Sequence, residues 1–98
     1  MVVWEIALEV VEEVRGSIAM FMFIIEEAIQ TVGMACYINY KLGDVEAAKE
    51  AARWALDNLV NPALDFVDRY GAAAYPLNLA YKSFYLSAKR TMETYLKL

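Results

Sequence analysis

The chain has 98 residues, 60% of them apolar with Tyr counted, no His, one Cys and a net charge of −4. That length makes one small domain, and a small domain has too much surface to hide so much apolar side chain alone. Without His, Ser-His and Cys-His nucleophile systems and His-containing zinc sites are excluded, and the acidic balance disfavours a general affinity for nucleic acid.

The first predicted element is one long helix over about residues 3–42. Glu5, Glu9, Glu12 and Glu13 fall on one stripe at helical spacing, and Glu27 and Gln30 resume it. Between them the stripe holds Gly16, Met20 and Phe23. A lone globular domain would leave these apolar groups in water, so a covering surface is expected there. The candidate interface is therefore Gly16, Met20, Phe23 and, further along, Met34. Gly16-Ser17 is a possible kink. The stripe keeps its phase across it, which favours a bent continuous helix over a break.

The run Met20-Phe21-Met22-Phe23-Ile24-Ile25 reads either as core at a helix crossing or as an adaptable apolar surface for a second chain, a small ligand or lipid. The longest charge-free run, Ala28–Tyr40, is short of the about 20 residues a membrane span needs. Gly16–Tyr40 is longer but holds Glu26 and Glu27, which would be costly in a bilayer core. A membrane span is therefore not expected. Cys36 sits in an uncharged stretch and reads as a small buried hydrophobe.

Leu42-Gly43-Asp44 marks a helix end and an immediate restart. Gly43 supplies a left-handed residue, and Asp44 caps the next helix with Glu46 in its first turn. That second helix is expected over 44–70. Glu46, Glu50, Arg53, Asp57, Asn61, Asp65 and Asp68 form its polar stripe. Val45, Ala48, Ala52, Ala55, Leu59, Phe66 and Tyr70 lie opposite. Pro62 removes one backbone hydrogen bond and crowds the preceding turn. Because the stripe continues past it, a kinked single helix is expected, with a restart capped by Asn61 as the alternative. Tyr70-Gly71 is expected to end the segment as Gly43 ends the first.

The third helix is expected over 76–97, with Pro76 at its first position. Leu77, Tyr81, Phe84, Ala88, Met92 and Tyr95 share one face, and the tyrosines suit half-buried positions with wet hydroxyls. Residues 72–98 carry Glu93 alone against Lys82, Lys89, Arg90 and Lys97, whereas both earlier segments are acidic. Packing of the basic segment against the acidic ones is the simple reading. A basic face for an anionic partner is the other.

Carboxylates are the remaining chemistry. Glu12-Glu13 and Glu26-Glu27 lie about four turns apart on one side. With no His to complete a di-iron pattern, a solvated acidic face is expected rather than a metal site. The four glycines are isolated, so no phosphate loop exists. The expectation is an all-α, three-helix chain with a long first helix, a single domain over 1–98, packing as a bundle in a homo-oligomer. It has no catalytic residues, no metal and no cofactor. Its expected partner is a second copy of itself, with another protein also open. The alternative is a small apolar-ligand or membrane-surface protein. The lone Cys and the absence of a basic leader at the start point to the cytoplasm. Helices of about 60, 40 and 35 Å cannot cover one another fully.

Overall fold

The computed structural model describes the backbone of residues 2–98 and the side chains of residues 5, 6 and 8–98. Helix α1 runs unbroken from Val2 to Lys41. Gly16 lies inside it, with open space where a Cβ would stand. Gly43 then takes φ +84°, and the Asp44 side chain accepts a hydrogen bond from the Ala47 N–H at 3.1 Å. Both expectations for this turn hold.

Helix α2 spans Val45–Ala55 and α3 spans Asn61–Tyr70, joined by a π-helical turn over Leu56–Val60. The rod stays helical through Pro62. Asn61 has helical angles and donates its N–H to Leu56 O, so it does not cap a restart. The wider turn is what a helix needs to admit a proline. It relieves the crowding between the Pro62 ring and the carbonyl four residues earlier, on Asn58.

This turn also corrects the expected core face. A π turn inserts one residue and rotates everything after it. Ala48, Ala52 and Ala55 are buried as expected. Leu56 and Val60 of the turn are buried, and beyond it Ala63 and Val67, so that Val60 and Val67 stand one place later than the expected Leu59 and Phe66. Leu59 and Phe66 are only half-buried, and Tyr70 is exposed. The polar stripe from Glu46 to Asp68 is exposed throughout.

Gly71 also differs from expectation. It is not left-handed (φ −61°) and opens a 3-10 turn over Gly71–Ala74. Its glycine is required by packing: a Cβ there would lie 2.9 Å from Val67 Cγ2 and 3.0 Å from Asn78 Cβ. Helix α4 spans Leu77–Leu96, with Pro76 just before its first residue rather than on it.

The three rods form an up-down-up bundle, with α1 and α4 parallel. Met22 of α1 meets Tyr85, and Cys36 meets Met92, at successive levels. Met22, Ile29 and Cys36 of α1 are buried against Ala52, Ala55, Val60, Ala63, Tyr85, Ala88 and Met92. Cys36 is fully buried, and burial raises its thiol pKa. Leu77, expected in the core, is exposed because α4 begins at the bundle's rim. Tyr85, not assigned to the core, is fully buried.

The molecule measures 64 × 17 × 17 Å, and its length is that of α1. Arg15 Nη2 donates to the Tyr75 carbonyl beside the start of α4. Before that contact α1 runs on alone. Every described side chain from Glu5 to Ser17 is exposed.

Candidate functional site

On its outer face helix α1 carries large apolar side chains, interrupted by exposed Glu27, Gln30 and Thr31. Its buried side is set by Ile18, Met22, Ile25, Ile29, Val32 and Cys36, at alternating spacings of three and four. On the opposite side stand Met20 (59% exposed), Phe23 (47%), Ile24, Met34 and Ile38. Gly16 begins this strip. The candidate residues Gly16, Met20, Phe23 and Met34 thus share one uncovered face. The Met20–Ile25 run is divided between roles. Met22 is core, Ile25 is half-buried, and Met20, Phe21, Phe23 and Ile24 face outward. Phe21 leans to one side, where its ring packs on Phe66 at 4.5 Å between centroids.

The absence of a side chain at Gly16 and the short Ser17 leave a shallow groove of about 530 Å³ between Glu13, Met20, Phe21 and Ile24. A second open cleft, of about 410 Å³, lies at the other end of the bundle among Tyr37, Tyr40, Thr91 and Tyr95. Lys41 Nζ stands 5.5 Å above the Tyr37 ring there. Neither is an enclosed cavity.

The acids do not gather into a centre. Among the described residues no group of three or more His, Cys, Asp or Glu side chains is placed to hold a metal ion. Glu27 is exposed, and Glu26 is half-buried, with Gln30 Nε2 3.4 Å away. Between the basic α4 and the acidic helices, one ion pair forms among the described residues. Lys82 Nζ lies 2.8 Å from Asp68 Oδ1. The other described pair, Arg69–Asp65, is local to α3. Charge attraction between segments is thus a small part of packing.

Tyr85 carries the main buried polar group. Its hydroxyl donates to the Met22 carbonyl at 2.6 Å. Burial holds its pKa well above the usual phenol range, with Tyr81 and Glu26 adding to the shift. The folded state therefore keeps a proton that the unfolded chain releases near pH 10. The contribution is intact below that pH and is lost as pH rises further. We expect stability measured by urea unfolding to fall as pH rises above about 10, and to fall less in Tyr85→Phe.

By length and composition, the part of α1 from Leu8 to Lys41 contains a stretch able to cross a membrane. Its mean hydropathy is 1.5, and 11% of the stretch is buried inside the fold. Glu26 and Glu27 weigh against a span, yet α1 is long and apolar enough with both included. Comparison with family models, with curated proteins and with solved structures gave no match.

Proposed function

We propose that this protein is non-catalytic and acts by assembling with copies of itself through the outer face of α1. The observation that carries the reading is the exposed apolar group Met20, Phe23 and Ile24 beside the side-chain-free Gly16, with Met34 and Ile38 further along the same face beyond Glu27, Gln30 and Thr31. Large apolar side chains grouped on one face of a rod mark a contact surface, whereas scattered ones do not. A small residue beside them lets a second helix approach closely. The lack of His, and of clustered metal-ligating side chains among the described residues, supports a binding role over catalysis. The reading places the protein in the cytoplasm, with no cofactor and no nucleic-acid partner.

Light scattering at micromolar concentration, without detergent, should give at least twice the 11.1 kDa chain mass. A clean monomer would refute the proposal.

The length and apolarity of α1 favour a second reading, a protein that docks on or in a bilayer. Against insertion of the bundle as packed, α2, the π-helical turn and α3 carry Glu46, Glu50, Asp57, Asp65 and Asp68 exposed alongside the same part of α1. These acids would enter hydrocarbon with it. Flotation with phosphatidylcholine vesicles distinguishes the readings: co-flotation favours the second.

A further inference from the structure

The buried seam of α1 does not stop where the bundle stops. Its spacing of three and four runs back from Cys36 through Val32, Ile29, Ile25, Met22 and Ile18 to Val14 and Val11. From Ile18 onward other helices cover it. Val14 is 50% and Val11 62% exposed, with Leu8 and Val10 exposed on its flanks. The acids Glu5, Glu9, Glu12 and Glu13 stand on the other side. Among the described residues the overhang is therefore an amphipathic helix whose apolar side is exposed. Alone in water a helix this short, rich in Val, is marginal.

We propose that the overhang pairs, antiparallel, with the overhang of a second copy of this chain, seam against seam. Three observations select that occupant. The uncovered strip continues the interface that the chain's own helices already fill, and a second overhang supplies the same apolar spacing over the same length. The rim of the bundle beside the overhang exposes Tyr75 and Leu77, so the tip of an antiparallel partner ends on apolar surface. Charge sets the direction. A parallel pair aligns two rows of four acids and two helix N-termini. An antiparallel pair sets Glu5 of each chain near the root of the other, where Arg15 holds its own Tyr75 carbonyl, and opposes the helix dipoles. A lipid surface fits less well, since the overhang has one base against four acids.

This inference deepens the assembly reading but uses the side of α1 opposite to Met20 and Phe23, so the two surfaces fail separately. Val11→Glu with Val14→Glu should lower the assembled mass while the bundle keeps its helical signal. Unchanged mass would overturn the seam and leave the outer face standing. Loss of mass in this variant but not in Phe23→Glu would keep the seam and remove the outer face.

Spin labels test the geometry without touching the seam. Cysteines introduced at Glu9 and, separately, at Lys97 are labelled, the native Cys36 being buried. Antiparallel overhangs bring the two Glu9 positions together across helix axes about 8–10 Å apart. They hold the two Lys97 positions roughly 100 Å apart, since two 64 Å bodies overlap by about 20 Å of helix. A short Glu9 distance with no measurable Lys97 distance supports the pairing. Short distances at both positions indicate a parallel or side-by-side pair and overturn it. So does a seam variant whose sole defect is lost binding to phosphatidylcholine vesicles.

Discussion

Replacing Tyr85 by Ala should destabilise the fold by about 3–5 kcal/mol, the range for deleting a buried aromatic side chain. Among the described residues Tyr85 is the largest fully buried side chain, and it closes a 2.6 Å hydrogen bond to Met22 O. Its removal opens a void beside Met22, and the core's Ala52, Ala55, Ala63 and Ala88 have no side chain long enough to refill it. A domain of this size has about 5–15 kcal/mol in total, so the variant should be largely unfolded at modest urea concentration. Tyr85→Phe keeps the ring and loses the hydroxyl contact, and should cost about 0.5–1.5 kcal/mol. Urea midpoints followed by circular dichroism test both. Equal loss in the two variants would show that the hydrogen bond, and not the packing, dominates.

Phe23→Glu should shift the assembly toward smaller mass while leaving the bundle folded. The ring lies on the outer face of α1, 47% exposed, and is not among the side chains packed on the core. Within one chain, a glutamate there meets water and should be close to neutral. Against a second chain it removes apolar burial worth roughly 1.5–3 kcal/mol for a fully buried side chain, and a two-fold contact loses it twice. Glu9→Gln, on the polar side of the overhang, should leave the mass unchanged. Mass and helical content measured on one sample separate the outcomes. A folded variant of unchanged mass would show that Phe23 faces no partner. Loss of helix at high protein concentration would show that it supports its own chain.

Much of the helical layout was legible because its signals are local. Gly43 and Asp44 needed only their own backbone angles and one capping bond to end α1 and start α2. The acids from Glu46 to Asp68 are exposed because they cannot be buried unpaired, whatever packs nearby. The exposure of Met20, Phe23 and Met34 follows equally from phase, since α1 is a single unbroken helix and its buried side is fixed by Met22, Ile29 and Cys36. The continuation of that buried seam to Val14 and Val11 was also readable from spacing.

What the sequence could not settle depends on contacts between distant segments. Pro62 announces a disturbance, but whether a helix answers by kinking, breaking or widening is decided by what it packs on. Here it widens, and one inserted residue moves the core from Leu59 and Phe66 to Val60 and Val67. Gly71 looks like a left-handed stop. Only the approach of Asn78, seven residues on, shows that it is small because there is no room. Tyr85 looks like another half-wet tyrosine, and its burial rests on an acceptor 63 residues away in α1. Composition, capping and helical phase act within a few residues of the chain and so can be read from it. Register after a distortion, close approach and the partner of a buried hydroxyl arise only when the three rods meet.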